Sequence, residues 1–302
     1  MIDISKISTE QRNKNTKNID IVPTKEMLQL INREDKTVPL AVEAAIDQIT
    51  VVVDVVTKAF LEGGRLFYIG AGTSGRIGVL DASECPPTFG VPDDMVIGII
   101  AGGDKALRYS IEGAEDSKES AVEDLKRYRI RERDVVIGVA ASGRTPYAIG
   151  AVEYANAIGA KTACITTSAD SEIARVATYP IEAITGAEPI TGSTRMKSGT
   201  AQKLIMNMIS TGSMIRIGKV YENLMIDVQI SNDKLISRAQ QIVMDVTGAP
   251  KDQVETSLNR YKSVKYAIFS IISKIENEAD IRAILEANHG SIRESLKSID
   301  LD

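Results

Sequence analysis

The sequence predicts an α/β fold in which a five-stranded parallel β-sheet is covered by helices on both faces. Between Arg65 and about Pro189, short apolar runs alternate with helical stretches. Runs that are apolar throughout are typical of strands buried on both faces, as in parallel sheets. Strands that are separated by helices also imply right-handed crossover connections. A ligand site is therefore expected beyond the carboxyl ends of the strands.

Five strands and four connecting helices follow from these patterns. The predicted strands are residues 66–69, 95–101, 135–140, 161–166 and 177–182. The predicted helices are residues 74–83, 117–128, 146–158 and 171–177. Pro146 lies near the first position of the third helix, where its missing N–H costs nothing.

The segments on either side of the sheet are predicted to be helical. Apolar spacing indicates one helix after Pro23 and a second over residues 38–61, whereas residues 1–23 are polar and are expected to wrap a surface. After Ile190, a methionine-rich segment predicts a long apolar helix. From about Asn232 onward, amphipathic patterns predict short helices with breaks at residues 248–250 and 289–290. The predicted domains are therefore 1–60, 61–230 and 231–302.

Composition excludes several classes of function. The chain has 302 residues, a formal net charge of −5 and no apolar run near the length of a membrane span, so neither nucleic acid nor a membrane is an expected partner. A polar N-terminus and only two cysteines make a reducing cytoplasm the expected location. His289 is the only histidine, which excludes a histidine-rich metal site and a Ser-His-Asp triad. Proton transfer is therefore expected to fall mainly to Glu, Asp, Lys or Tyr.

The loop after the first predicted strand, residues 70–75, has the sequence GAGTSG and leads into a helix. Backbone N–H groups and a helix N-terminus meet there, which suits a phosphate or carboxylate. The loop also matches the dinucleotide fingerprint, but that fingerprint requires an acidic residue about 20 positions further on. Here the second predicted strand runs into Gly102, Gly103 and Asp104, and Asp104 lies more than thirty residues beyond Gly70. This spacing disfavours a nicotinamide cofactor.

Hydroxyl-rich loops recur at other strand ends. They are ASGRT at residues 141–145, TTS at residues 166–168 and, later, GSTR at residues 192–195. For each loop alone, a helix N-cap is the simpler interpretation, since Ser and Thr are favoured caps. Their repetition at one sheet edge favours a phosphomonoester, whose oxygens need many donors.

Two carboxylates are candidates for acid–base chemistry. Glu84 precedes Pro86 and Pro87, which are expected to end the first helix and to place Glu84 at a rigid corner close to the first loop. Glu115 follows the second strand. Each could be a solvated surface residue or a cap. Together, beside a phosphate crevice without histidine, they are the natural general acid and base.

The loop ASGRTP resembles the phosphosugar-binding loop of the sugar isomerase (SIS) family. Four stretches together, GAGTSGRIGVLDASECPPTFG, AGGDKALRYSIEGAED, ASGRTPYAIGA and TGSTRMKSGTAQK, resemble the N-acetylmuramic acid 6-phosphate etherases of that family. The resemblance implies a SIS-type three-layer αβα sandwich with a five-stranded parallel sheet, N-terminal helices and a small C-terminal helical domain. It also implies substrate- or phosphate-binding roles for Thr73, Ser74, Ser142, Arg144, Thr145, Ser193, Arg195 and Lys197. Arg195 and Lys197 could hold the lactate carboxylate or the phosphate, and Lys197 could polarise the carbonyl. Helix caps or an ion pair at a subunit interface are the alternative for these two residues.

The resemblance further implies the reaction, for which we expect no metal and no cofactor. The lactyl ether of the sugar would be cleaved by elimination and water addition, with Glu84 protonating the lactate oxygen and Glu115 handling the C2 proton. It implies a homodimer in which a neighbouring subunit completes the site. His289 could open the sugar ring, or it could be a bystander. A sugar phosphate isomerase would form a ketose without releasing lactate, and a noncatalytic sensor such as the glucokinase regulatory protein would bind without turnover.

Overall fold

The structure is a computed structural model that describes residues 8–227 and 233–300. Within this range the chain forms two compact units. The first contains the residues up to Ser83 together with Asp94–Ser210, and the second contains Glu84–Asp93 and the residues from Thr211 onward. No helix of the described residues is long and apolar enough to cross a membrane.

The first unit contains a five-stranded sheet with the strand order β2-β1-β3-β4-β5. All neighbouring strands are parallel, and Leu66 of β1 pairs with Val96 of β2 and Val135 of β3. The sheet confirms the predicted fold, because each observed strand lies within two residues of its predicted bounds. The strands are β1 Leu66–Gly70, β2 Val96–Ile100, β3 Val135–Val139, β4 Lys161–Thr166 and β5 Tyr179–Glu182.

Helices cover both faces of this sheet, which confirms the three-layer sandwich. Phe67 and Ile69 point to one face and pack with residues of α6 and α7. Tyr68 points to the opposite face, where it contacts α4 near Gly78 and donates a hydrogen bond to the Met206 carbonyl of α9. The helices are α1 Thr24–Asp35, α2 Val38–Glu43, α3 Ile46–Leu61, α4 Gly72–Phe89, α5 Lys105–Arg108, α6 Lys118–Arg127, α7 Pro146–Ala157, α8 Glu172–Val176 and α9 Lys197–Arg216.

Helix α4 departs from the prediction at both ends. It begins at Gly72, two residues early, and continues through Pro86 and Pro87 instead of ending before them. Each proline removes one helical N–H donor, but its fixed φ of about −65° is compatible with a helix. The amide of Gly90 still reaches the Pro86 carbonyl at 2.9 Å, so the last turn closes. The expected rigid corner at Glu84 is therefore wrong.

The N-terminal segments also differ from the prediction. Residues 38–61 form two helices, because the amide of Ala45 bonds three residues back to the Val42 carbonyl and tightens the chain there. The polar arm before α1 contributes buried residues as well as a surface covering. Asn13 donates to the Ala187 carbonyl at 3.1 Å, and Thr16 Oγ1 donates to the Pro189 carbonyl at 2.7 Å.

The second unit is mainly helical, as predicted. Phe269, Ile268 and Ile281 lie in its buried core. Predicted breaks at Gly248 and at His289-Gly290 are confirmed, and all three residues have positive φ. Further breaks occur at Lys262 and Lys274, which end helices in the left-handed conformation without a glycine. The elements are β6 Val220–Tyr221, β7 Leu224–Met225, α10 Asp233–Thr247, α11 Lys251–Tyr261, α12 Val264–Ser273, α13 Glu278–Ala287 and α14 Ile292–Ser298.

Candidate active site

The strand order locates the candidate site. From β1 the chain moves outward to β2 and then returns to the other side of β1 to form β3. Ligands of open parallel sheets bind at such a reversal, in the crevice beyond the strand ends. The loops after β1 and β3 border that crevice. They contain GAGTSG and ASGRTP, the two stretches that the sequence singled out.

Glycines allow the loop after β1 to lie close to the sheet. A Cβ on Gly75 would approach Ile100 Cγ1 to 2.6 Å, and one on Gly70 would approach the Val139 carbonyl oxygen to 2.7 Å. The first turn of α4 can therefore pack directly on the strand ends. Ser74 is buried there and donates its hydroxyl proton to Gln202 Oε1 at 2.9 Å. Thr73, the preceding residue, is half-buried.

The loop after β3 makes a tight turn at Gly143. Its φ is +67°, and a Cβ there would lie 2.2 Å from Ser171 Cβ, so only glycine fits. Ser142 Oγ accepts a hydrogen bond of 3.4 Å from the Arg144 amide. The Arg144 guanidinium in turn pairs with Glu172 at 3.0 Å. These contacts hold the backbone and side chains of the loop at the start of α7.

Thr145 is the N-cap residue of α7, yet its side chain makes no capping hydrogen bond. Ser117 and Ser171, the N-cap residues of α6 and α8, do accept such bonds. At α7, the backbone amide of Tyr147 donates instead to the carbonyl of Glu115, at 3.0 Å. Thr145 Oγ1 is thus not committed to the cap. The same bond holds the Glu115 backbone at the N-terminus of α7.

The hydroxyl groups that follow β4 are buried beneath the loop after β3 and contact its backbone. Thr166 Oγ1 and Thr167 Oγ1 lie 3.1 and 3.0 Å from the Ala141 carbonyl oxygen. Thr167 Oγ1 is also 2.9 Å from Ser198 Oγ, which donates to Glu188 at 2.8 Å. All of these side chains are buried. Part of the predicted hydroxyl cluster therefore holds the loop, rather than presenting donors to solvent.

Glu188 is a site-supporting residue that no sequence motif indicates. Its carboxylate is fully buried and accepts hydrogen bonds from the amides of Lys197 and Ser198, at 2.8 and 2.9 Å. These are the first two amides of α9, so Glu188 neutralises the positive end of that helix. A carboxylate nine residues before the helix start gives no local signal of this role.

Lys197 is buried and its ammonium is paired within the chain. Lys197 Nζ lies 2.9 Å from Glu34 Oε2 and donates to the Ala187 carbonyl at 3.1 Å. Burial raises the pKa of Glu34, but hydrogen bonds from Asn15, Lys197 and Asn13 outweigh it, so that pKa falls below its usual value. The structure thus directs Lys197 towards Glu34, whereas Arg195 is exposed and Ser193 half-buried before α9.

A cavity of about 290 Å³ connects the first loop to Glu115. Glu115 is exposed, and its segment forms one wall. Arg76 of α4 lines the same cavity and donates hydrogen bonds to three backbone carbonyls of the segment that follows β2. The lining residues are Ala71, Gly72, Arg76, Ala101, Ala106 and residues 109–115. The structure therefore brings Glu115 together with the loops after β1 and β3.

Glu84 is an exposed residue of α4 in the second unit. It follows Gly72, the first residue of α4, by twelve positions in the sequence. Leu80 precedes Glu84 by one turn and is 54% exposed. His289 also belongs to the second unit, in a left-handed turn. No group of His, Cys, Asp or Glu in residues 8–227 and 233–300 is arranged to hold a metal ion.

The sheet, its reversal point and the hydroxyl-rich loops define a SIS-domain protein. The SIS domain model matches residues 117–211, and the model of the glucokinase regulatory protein N-terminal SIS domain matches residues 48–156. Residues 222–290 match the C-terminal lid domain of glucokinase regulatory protein.

The chain belongs to the N-acetylmuramic acid 6-phosphate etherase family, whose members are carbon–oxygen lyases. It is 54% identical over 299 residues to the etherase of Clostridium botulinum (strain Loch Maree / Type A3), covering 99% of each chain. It is 51% identical over 294 residues to the etherase of Actinobacillus pleuropneumoniae serotype 5b, covering 97% of this chain and 96% of the other. A solved phosphoheptose isomerase from Neisseria gonorrhoeae aligns with a TM-score of 0.47 and 14% identity, covering 63% of this chain and 98% of that one.

Proposed function

We propose that the chain cleaves the ether between C3 of N-acetylmuramic acid 6-phosphate and D-lactate, giving N-acetylglucosamine 6-phosphate and D-lactate. Full-length similarity to the etherases supports this activity. The observation that carries it within the structure is the bond between the Glu115 carbonyl and the Tyr147 amide. It holds a carboxylate-bearing segment beside the loop proposed to bind phosphate.

The phosphate end of the substrate is assigned to the loops after β1 and β3. Thr145 and Ser142 offer hydroxyls, and both loops lead into helix N-termini, which favour anions. Thr73 and Ser74 lie in the first turn of α4. The Ser74 hydroxyl can accept a hydrogen bond from a ligand while it donates one to Gln202. Arg144, oriented by Glu172, adds positive charge. We keep Ser193 and Arg195 as candidate contacts, whereas the buried pairing of Lys197 supports a role in holding the start of α9.

The chemistry is an elimination followed by hydration. In the ring-opened aldehyde, the C2 proton is α to a carbonyl and the lactyl oxygen is in the β position. Glu115 removes the C2 proton, the C2–H electrons form the C2=C3 double bond, and the C3–O bond breaks. Glu84 donates a proton to the departing lactate oxygen. Water then adds its oxygen to C3 and a proton returns to C2, so no net oxidation occurs.

The working form is proposed to be a homodimer in which Glu84 acts on the substrate of the partner copy. Asn207 Nδ2 donates to Asp81 and so joins α4 to α9 at 2.6 Å. Close to this bond, Leu80 and Met208 are 54% and 41% exposed. An apolar face of this kind favours association with a second copy. Leu80 and Glu84 are four residues apart and share one face of α4, so that association would present Glu84 to the partner.

A cytoplasmic location is part of the proposal. Cys85 and Cys164 are both buried, and neither forms a disulfide. Burial raises the pKa of the Cys164 thiol to about 12, which keeps it protonated. Two cysteines that are not joined in a disulfide suit a reducing compartment.

Incubation with N-acetylmuramic acid 6-phosphate in ¹⁸O-labelled water tests the function. We expect released D-lactate without label and N-acetylglucosamine 6-phosphate with ¹⁸O at C3, because the new C3–O bond comes from water. Label in the lactate hydroxyl instead would indicate cleavage on the lactate side of the ether. A ketose product without lactate would identify a sugar phosphate isomerase and overturn the proposal.

A further inference from the structure

Arg76 lies in the second turn of α4 and lines the cavity next to Glu115. Its guanidinium is held firmly. Nε donates to the Leu107 carbonyl at 3.0 Å, and Nη2 donates to the carbonyls of Ala106 and Tyr109 at 2.7 and 3.3 Å. These bonds occupy three of the five N–H groups of the fork, so the two on Nη1 are left for another partner.

All three of these partners are neutral carbonyls, so the positive charge of Arg76 has no counterion among them. Other partly buried cations of the same unit each pair with a carboxylate: Arg65 with Asp134 and Lys197 with Glu34. Within residues 8–227 and 233–300, no carboxylate forms an ion pair with Arg76. A half-buried guanidinium with free donors is a ready site for an anion, particularly a carboxylate that accepts two bonds at once.

The proposed substrate carries two anionic groups. Its 6-phosphate is assigned to the hydroxyl loops and the helix N-termini. Its second anion is the carboxylate of the lactyl group, which lies next to the bond that breaks. The cavity wall beside Arg76 also contains Ala106 and Ile111, apolar side chains that suit the methyl group of the lactyl moiety.

We propose that Arg76 binds the lactyl carboxylate and thereby selects 3-O-lactyl sugar phosphates over sugar phosphates that lack this group. The inference rests on the proposed function and deepens it. The guanidinium fixes the lactyl group while Glu115, on the same cavity, removes the C2 proton. After cleavage the sugar no longer carries the carboxylate, so its contact with Arg76 is lost and product release is favoured.

Arg76→Gln tests the assignment, with Arg175→Gln as the matched control. Arg175 is exposed, donates to the Asp170 carbonyl at 3.0 Å and does not line the cavity. We expect Arg76→Gln to weaken binding of N-acetylmuramic acid 6-phosphate by about 10- to 100-fold, as for one charged hydrogen-bond pair. Binding of N-acetylglucosamine 6-phosphate, measured as competitive inhibition, should change by less than about 2-fold, because that ligand has no carboxylate. Arg175→Gln should change neither.

A ligand-side experiment uses the unmodified protein. The methyl ester of the lactyl carboxylate keeps the size of the substrate and removes its charge. In the wild-type chain the ester should bind about as weakly as N-acetylglucosamine 6-phosphate, and Arg76→Gln should no longer distinguish acid from ester. Arg76→Lys keeps a cation but not the forked guanidinium. Its preference for the acid over the ester should lie between those of the wild-type chain and Arg76→Gln.

Two outcomes overturn the inference. Equal weakening of both sugar phosphates in a folded Arg76→Gln variant would indicate that Arg76 only holds the segment after β2. If the acid and the ester bind the wild-type chain equally well, the carboxylate is not recognised. This comparison holds even if the Arg76→Gln variant does not fold, because it uses only the wild-type chain. Failure of the wild-type chain to release lactate is a separate observation and would reject the proposed function.

Discussion

The carbonyl of Glu115 accepts a hydrogen bond of 3.0 Å from the amide of Tyr147, in the first turn of α7. That amide belongs to the group of donors that a helix leaves without an intrahelical partner. Capping by a distant backbone carbonyl leaves the Thr145 hydroxyl available for a ligand. One hydrogen bond thus relates the proposed base to the proposed phosphate loop.

Glu115→Gln is expected to stop both proton exchange at C2 and lactate release. An amide cannot remove the C2 proton, so turnover should fall by about 10²-fold or more. Loss of the C2 proton signal in heavy water, followed by NMR, measures the first step, and a lactate assay measures the second. Near-normal C2 exchange by a folded variant would remove Glu115 from the role of base.

Glu84→Gln is expected to separate the two steps. The variant lacks the acid that protonates lactate, so lactate release should also fall by about 10²-fold or more. Exchange at C2 should continue, since Glu115 is intact. The reverse pattern, in which Glu84→Gln blocks exchange and Glu115→Gln permits it, would exchange the roles of the two carboxylates.

Mixing the two variants is expected to restore activity. In a symmetric dimer whose sites combine Glu115 of one copy with Glu84 of the other, half of randomly mixed dimers are heterodimers, and each has one intact site. Denaturation and joint refolding should therefore recover about a quarter of wild-type activity. Separate refolding of each variant is the control. No recovery, with heterodimers demonstrated by mass, would place both carboxylates in one copy.

Thr145→Val is expected to weaken ligand binding without destabilising the fold. Because the hydroxyl makes no capping bond, the free energy of unfolding should change by less than about 0.5 kcal/mol. Affinity for N-acetylglucosamine 6-phosphate should fall by about 10-fold with the loss of one hydrogen bond to phosphate.

Ser291→Ala is the contrasting variant, since Ser291 accepts from the Glu294 amide at 3.3 Å. It should cost about 1 kcal/mol of stability and leave affinity unchanged. Destabilisation by Thr145→Val of similar size would argue for a capping role.

Lys197→Met is expected to destabilise the fold, because it leaves the Glu34 carboxylate without its cationic partner. Removal of one partner of a buried ion pair leaves the other charge uncompensated and costs about 3–5 kcal/mol. The double variant Lys197→Met/Glu34→Gln should lose less, because it buries no unpaired charge. Denaturant unfolding at neutral pH gives both values. Equal losses in the single and double variants would contradict the ion-pair explanation.

The ion pair between Lys197 and Glu34 also predicts that the stability of the fold decreases at acid pH. Since the pKa of Glu34 is lower in the folded chain than in the unfolded one, its stabilising contribution is complete above the unfolded pKa of about 4.5 and is lost as the pH falls through the folded pKa. Glu34→Gln should flatten this part of the stability curve.

Strands β1, β2 and β3 could be predicted because each consists of apolar residues and glycine, whereas β4 and β5 also contain polar residues and a proline and gave a weaker signal. The loops followed from the same patterns, since parallel strands end at one edge. The prolines in α4 misled the prediction because their φ is helical and only two hydrogen bonds are lost. The breaks at Lys262 and Lys274 carry no sequence signal, because lysine rarely adopts the left-handed conformation in which the chain holds it there.

Long-range contacts set the limit of the site prediction. Lys197 and Glu34 are 163 residues apart in sequence, and no local pattern indicates that they pair. Glu188 and Arg76 were missed for the same reason, because their roles depend on where other segments end. The assignments of Glu84, Glu115 and the phosphate-binding residues stay predictions, and the exchange and mixing experiments address them directly.

The two buried thiols give the chain a pair of internal reporters of opening. Cys164 lies in β4 of the first unit, and Cys85 belongs to the second. Reagents attack the thiolate, so each cysteine reacts only when its surroundings admit solvent. The labelling rate of Cys164 would report the opening of the first unit, and that of Cys85 the opening of the second. No residue would have to be introduced for this measurement.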